Sequence, residues 1–415
     1  MTHRGRRHAV FLSVSLVGLL PSSAGTPAAL PPLPPLLAAT RGGASALAVR
    51  HPRPGVSRGG GRTVERAPSL VVYAWGFNQY GELGIGSLNY SNVPVAVPRL
   101  AGVVGLAGGG TFSLALRQNG TVWAWGTDGD GELGPIEATC ATRYARFPCS
   151  DTPVQVRGLH GITSIAAGLD HALALGRDGT VWAWGDKRTR PARVPDLYGV
   201  RSIAAANDEN VAIKRDGTVW TWSGTTGDQQ DAMNGGNSPR VVPGLTAVVA
   251  VAVAGQADLA LRQDGTVWAW GDNAWGELGD GRIDNDIHLK PTRVRRLAGV
   301  TAIAGGGCNG LALTGEGRVW AWGCTPMAQS DTEPQPLPTL VHGLPAVVAV
   351  SAGAGHTLAL TREGHLWAWG GNDFGQVGNG HSGGDSTTPS LVQRLTHVIA
   401  IAAGGWHSLA LRATN

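Results

Sequence analysis

Lysine is nearly missing from this chain, with 3 residues against 30 arginines in 415. That bias reflects a GC-rich genome rather than a chemical task. Charged residues of both signs make up only 15 %. The longest apolar run, Ala9 to Leu20, is 12 residues long and too short to span a bilayer. Beyond residue 69 no segment keeps a capped 3.6-residue period, which predicts almost no helix. There are 4 cysteines and no Cys-x-x-Cys pair, an arrangement that argues against structural zinc. No Ser-His-Asp or paired-carboxylate arrangement stands apart from the background. The glycines Gly81, Gly84 and Gly86 do not open a helix and form no nucleotide-binding loop. Catalysis, metal and cofactor are therefore all expected to be absent. What the chain has in excess is glycine, 63 residues.

The sequence begins with Arg4, Arg6 and Arg7, then the apolar run, then Pro21-Ser22-Ser23-Ala24-Gly25. A basic start, a short apolar core and small residues at a plausible cleavage point read as a secretory signal peptide over residues 1–24. Residues 25–69, rich in Pro, Ala, Gly and Arg, read as a disordered spacer. Charge divides at that boundary. Residues 1–69 hold 9 Arg and one acid, Glu65, whereas the remainder has 24 basic and 28 acidic residues. A body near −4 lacks the positive footprint that phosphate binding requires, so no nucleic-acid partner is expected.

One cassette recurs from Tyr73 to Gly378, most plainly as VWAWGTDGDGELG at Val122 to Gly134. Its second Trp falls at residues 75, 125, 184, 222, 270, 322 and 369, at intervals of 38 to 59 residues. Seven copies define a repeat architecture. Each unit has two short apolar pieces, an Asn-Gly, Asp-Gly or Glu-Gly turn such as Asp264-Gly265, the Trp strand, and a Pro-bearing piece such as Thr388-Pro389-Ser390-Leu391-Val392. The turns read as two-residue type I′ hairpins. Proline removes a ladder donor and assigns the last piece to the outer edge. Period-2 alternation sets Trp123 and Trp125 against Ala124 across one sheet, the large and small faces that stacked propeller blades need. The first Trp strand has no apolar pair before it, and the last apolar pair, Val398 to Ala402 and His407 to Arg412, has no Trp strand after it. The two halves complete one blade. The fold expected over residues 70–415 is an all-β, seven-bladed propeller of four-stranded blades, closed by a blade shared between the N- and C-terminal strands.

At this point the chain resembles the regulator of chromosome condensation repeat family. Its Gly-Gly-x-His-Ser-Leu-Ala-Leu strand, Asp-Gly turn, Val-x-x-Trp-Gly strand and Asn-x-x-Gly-Gln/Glu-Leu-Gly loop are matched best at Ala403 to Leu411, Asp264 to Gly279 and Gly364 to Gly378. The resemblance implies the propeller fold and a range of roles. These include nuclear exchange on a small GTPase with chromatin binding, ubiquitin ligase modules, and secreted bacterial propellers, one of which inhibits β-lactamases through one end of the ring. The chain departs from the pattern after Gly185, Gly224 and Gly323, where Gly-Glu-Leu-Gly is lost, and at residues 135–152, which insert a Cys-bearing excursion. No exchange-factor residue can be placed on a matching position.

Of three possible cysteine connectivities the local pairs Cys140–Cys149 and Cys308–Cys324 are favoured. Counting from Glu316-Gly317 sets Cys308 opposite Thr325, one residue from ideal. His171, His356 and His407 share one repeat slot, which reads as structural because a catalytic His is normally singular. Asp128, Asp130 and Glu132 alternate with Gly like a calcium loop, yet Asn78, Tyr80 and Glu82 fill the same slots in the first unit, so this reads as repeat variation. Antiparallel order sends the loop before the second strand and the loop after the Trp strand to one end of the ring. Phe77, Tyr80, Phe112, Trp275, Phe374 and Trp406 fall on that end, and clustered loop aromatics are what a protein interface uses. Asp170, Asp208 and Glu209 add negative charge that steers a basic partner. The reading is a secreted, extracellular, monomeric, non-catalytic propeller that binds a protein partner through its loop-rich face. Two alternatives stand beside it: an exchange-factor-like or chromatin-associated regulator, and an extracellular enzyme using the central cleft on glycans or polyphenols.

Overall fold

A computed structural model describes residues 69–141, 146–224, 238–324 and 334–414. The expected leader, and all of the spacer but Ser69, lie outside the described residues. So do the segments following Gly224 and Cys324 where the loop motif is lost. Within the described residues every regular element is a strand, and no helix is long and apolar enough to cross a membrane.

Seven antiparallel sheets form the blades of a propeller. Blade 3 shows the plan: inner strand Ile162–Ala167, second strand His171–Gly176, Trp strand Val181–Gly185 and outer strand Arg188–Arg193, in spatial as in sequence order. Blade 2 adds a fifth strand, Thr139–Ala141, paired outside Arg146–Gln155 and clipped to it by the Cys140–Cys149 disulfide, Cα–Cα 5.4 Å. Blade 1 is the composite one. Its inner pair, Val398–Ala403 and His407–Thr414, comes from the end of the chain, and its outer pair, Ser69–Gly76 and Ser91–Ala96, from the beginning. The seam runs over eight consecutive residue pairs, from Ser69 opposite Thr414 to Gly76 opposite His407. Period-2 alternation makes the seam an ordinary core as well as a ladder, since Val72, Ala74 and Trp75 are buried with Leu409 and Leu411 in one apolar cluster.

The hairpin turns differ from the sequence expectation. Arg117 donates its N–H to the Thr121 carbonyl and Gly120 donates to the Arg117 carbonyl, which makes a three-residue turn. Only the glycine takes positive φ, 78° to 86° across the six turns, so each is a type I turn closed by a glycine bulge. The Asx residue does not enter the left-handed region; it accepts bonds instead, as Asp178 Oδ1 does from both the N–H and hydroxyl of Thr180. A type I′ hairpin does occur where the loop motif is lost, with Asp186 and Lys187 both at positive φ. The three-residue turn also moves the register by one. Asn309 faces Gly323, so Cys308 stands beside Cys324 rather than Thr325, and the disulfide closes at Cα–Cα 5.3 Å.

The two aromatic residues of each Trp strand, two Trp in blades 2 to 7 and Tyr73 with Trp75 in blade 1, part company. The second is buried in every blade, whereas the first is half-buried at the turn end. In blades 2 to 5 it lies under a cation, such as Arg117 over Trp123 at 5.4 Å or Lys214 over Trp220 at 3.8 Å.

Removing residues 397–415 deletes two inner strands and exposes the edge of Ser69–Gly76. The truncated protein is expected to lose its cooperative thermal transition or to aggregate. Differential scanning calorimetry checks this, and an unchanged melting temperature would refute the closure.

Candidate functional site

The Asn-x-x-Gly-Gln/Glu-Leu-Gly loop is first a latch between blades. Asn78 Oδ1 accepts the Leu83 N–H, and Glu82 Oε2 accepts the Tyr80 N–H, which folds the loop on itself. Asp128 and Glu132, Asn273 and Glu277, and Asn372 and Gln376 repeat both bonds. The folded loop then offers the carbonyl of its Glu or Gln to the buried indole of the next blade. Trp125 donates to Glu82, Trp184 to Glu132, Trp322 to Glu277 and Trp75 to Gln376, all at 2.7–2.9 Å. Trp222 follows blade 3, whose loop has shrunk to two residues, and its indole N–H is buried without a partner.

A second inter-blade bond lies beside the latch. His407 meets Ser113 of blade 2, His356 meets Ser408 of blade 1, and His171 meets Asn210 of blade 4, each at 2.8 Å. Burial lowers His356 and His407 to about 3, so both are neutral. Between blades 4 and 5 the two slots hold Glu209 and Asp258. Burial, and next the Glu209 carboxylate, push Asp258 well up.

Around these bonds the loop-rich end displays its aromatics. Phe374 packs on Phe77 at 4.7 Å between ring centroids, Tyr90 on Phe77 at 5.1 Å, and Trp406 on Phe77 at 5.8 Å. Tyr80 extends the cluster to Phe147 of the blade 2 insertion at 5.3 Å. Six rings thus join blades 7, 1 and 2. Tyr90 is 48 % exposed, and Tyr80, Phe147, Phe374 and Trp406 are half-buried. Beside them a cleft of about 580 Å³, lined by Ser87, Leu88, Cys140 and Asp151, opens at the rim between blades 1 and 2.

Three sequence expectations need correction. Phe77 is 7 % exposed and forms the buried hub of the cluster, not a free contact. Phe112 is fully buried and belongs to the blade 2 core, because its slot is the first residue of the second strand, where other blades carry the buried His. Glu209 is buried for the same reason and accepts a bond from Ser223. Trp275 is half-exposed on blade 5, with no ring contact to the cluster among the described residues. Sequence reasoning missed Tyr90 and Phe147. Tyr90 sits eight residues past Glu82, beyond the motif, and Phe147 sits in an insertion with no repeat counterpart to align.

Asp130, Glu132 and Asp170 bring oxygens within 4.8 Å of one another. Burial raises Glu132 to about 8, and burial with the carboxylates of Asp130, Asp208 and Asp186 raises Asp170 to about 6. One oxygen of Glu132 is engaged by the Asp130 N–H. The group acts as a negative field on blades 2 to 4, next to the aromatic cluster.

A ring of seven antiparallel blades, latched loop to indole at four of its junctions, defines a repeat-propeller class. Two models of the regulator of chromosome condensation (RCC1) repeat match, one at residues 71–116, 264–313 and 363–411, the other at 103–132, 162–187 and 347–376. The chain belongs to the RCC1 repeat family. It is 36 % identical over 120 residues to the human E3 ubiquitin-protein ligase HERC2, covering 28 % of this chain and 2 % of that protein. It is 32 % identical over 139 residues to Protein RCC1 of Candida albicans, covering 28 % of each. The chain thus spans less than a third of the curated relatives it matches. In structure it resembles Prp20p of Saccharomyces cerevisiae, TM-score 0.72 at 23 % identity, over 84 % of this chain and 92 % of that one. It also resembles human WBSCR16, TM-score 0.71 at 21 % identity, over 83 % and 100 %.

Burial raises Glu82 to about 8, and one of its carboxyl oxygens has no partner. Its folded value lies above the unfolded one, so its contribution is complete below about pH 4.5 and is lost as pH rises toward 8. Gln376 fills the same slot without a charge. Glu82→Gln is therefore expected to match the parent near pH 4.5 and to exceed it by up to a few kcal/mol at pH 8. Chemical denaturation across that range checks it, and a gain independent of pH would contradict it.

Proposed function

We propose that the chain is a secreted, non-catalytic propeller that binds a basic protein through its loop-rich end. The observation that carries this reading is the six-ring aromatic cluster on blades 7, 1 and 2, flanked by the acidic cluster on blades 2 to 4. Rings of this size on adjacent loops supply anchor residues, and desolvated aromatics dominate the energy of protein interfaces. The hub, Phe77, is buried and holds the others in place before a partner arrives, which lowers the ordering entropy lost on binding. Asp130, Asp170 and Asp208 set the sign of the partner and speed its approach.

Prp20p is described by its binding to Gsp1p and histones, and yeast RCC1 has been seen bound to Kap60. These interactions, all of one protein of similar fold, support a binding role here. They also support an exchange-factor-like role as the second reading, and compartment separates the two. Secretion rests on the basic and apolar pattern of residues 1–24.

Mapping the mature N-terminus from culture medium is expected to find the chain cleaved near residue 24. A cytosolic protein that keeps Met1 would sink secretion. The combined Tyr80→Ala, Phe374→Ala and Trp406→Ala variant is expected to lose roughly 100-fold or more in partner recovery from the native secretome. Full recovery by a folded variant would remove the aromatic face from the interface.

A further inference from the structure

The opposite end of the ring is built on another plan. Seven links, each of six residues, join outer strands to the next inner strands, and six hairpins of equal length join second strands to Trp strands. Nothing protrudes, so this end is flat. The loop-rich end, by contrast, has connections as short as residues 186–187 and as long as 272–287.

Charge separates in the same way. The described connections of the loop-rich end carry 15 Asp or Glu and two basic residues, Lys187 and Arg282. The links and hairpins of the flat end, with the strand residues that open each hairpin and Arg412, carry 13 Arg or Lys and six acids. Three of those acids, Asp178, Asp216 and Asp264, are tied to the Thr two residues on. Arg157, Arg177, Arg215 and Arg362 are exposed and enter no ion pair among the described residues. The near-neutral total therefore hides a molecule polarised along its axis.

The backbone supplies an independent observation. The third residue of every link sits in the left-handed region. It is Gly158, Gly244 and Gly343 in three blades, where an added Cβ would meet nothing within 4 Å. The position is open to solvent, and glycine is the unstrained occupant. In three other blades it is Arg99, Arg296 and Arg394, at φ 58° to 60°, and in the seventh Asp196, at φ 56°, all exposed. Three of the four strained residues in this slot are arginines, and backbone strain held at exposed positive charge points to a use for that charge. Tyr198, 68 % exposed, stands on the same face, and an amphipathic ring suits the boundary between water and lipid headgroups.

We propose that the flat end docks on an anionic phospholipid surface, with Arg99, Arg296 and Arg394 as its leading contacts. Guanidinium groups pair with phosphate oxygens in a fork. A duplex is contacted along a stripe or a groove, whereas these cations are spread around the whole ring in one plane, which fits a planar anionic surface. Docked this way, the ring turns its acidic, aromatic end toward solution.

The test uses the full chain with vesicles of phosphatidylcholine alone or mixed with phosphatidylglycerol. Sedimentation is expected with the anionic vesicles only, and to fail in about 1 M salt, where the screening length is about 3 Å. Combined Arg99→Gly, Arg296→Gly and Arg394→Gly is expected to keep or raise the melting temperature while partition falls roughly 100-fold. The Tyr80→Ala, Phe374→Ala, Trp406→Ala variant is expected to bind vesicles like the parent. Equal binding to both vesicle types overturns the proposal. So does unchanged binding by the glycine variant, which would assign the lipid to the arginine-rich residues before 69. Binding to duplex DNA with none to anionic vesicles overturns it in favour of nucleic acid.

Discussion

The indole N–H of the second Trp, bonded to the preceding blade at Trp75, Trp125, Trp184 and Trp322, is the bond around which the ring is built. Burying a Trp supplies a large apolar area, but its N–H must find an acceptor or forfeit much of the gain. Here the acceptor is a backbone carbonyl of the preceding blade, presented by a loop that first satisfies its own donors with Asn and Glu side chains. Blade order, loop shape and core packing are thereby one arrangement. Trp222 shows what happens when it is relaxed: the loop before it shortens to Asp186-Lys187, and the indole is left with no partner.

That arrangement also explains what could be read in the residues. Blade number, blade boundaries and the closing blade follow from the spacing of Trp residues and from the unmatched halves at the two ends, because a propeller repeats one unit and can only close on itself. The turn type did not follow. Asn-Gly and Asp-Gly favour a two-residue hairpin in isolation, but the six hairpins use a third residue, with the Asx side chain bonded to the next Thr. A one-residue change in loop length moved the partner of Cys308 by one position.

The face was partly legible. Phe374, Trp406 and Tyr80 are where the loop pattern put them, while Phe77 and Phe112 turned inward. Alternation along a strand decides that inward turn, and the strand's exact start was beyond the pattern. Glu82 and Glu132 read only as repeat variation, and the folded loop alone shows them buried, with burial raising both carboxyls to about 8. Net charge misled most. A sum over the body of the chain says nothing of how charge is divided between two ends, and the division appears only when strand direction sorts the connections.

The composite blade has a consequence for biosynthesis. Among the described strands Ser69–Gly76 is made first, and its partner His407–Thr414 is made last. Until that partner emerges, an apolar strand with Val72 and Trp75 waits with an open edge, the condition that invites pairing with other chains. Ring closure therefore waits until His407–Thr414 has been made, and its yield in the cell depends on how well that waiting edge is shielded until then.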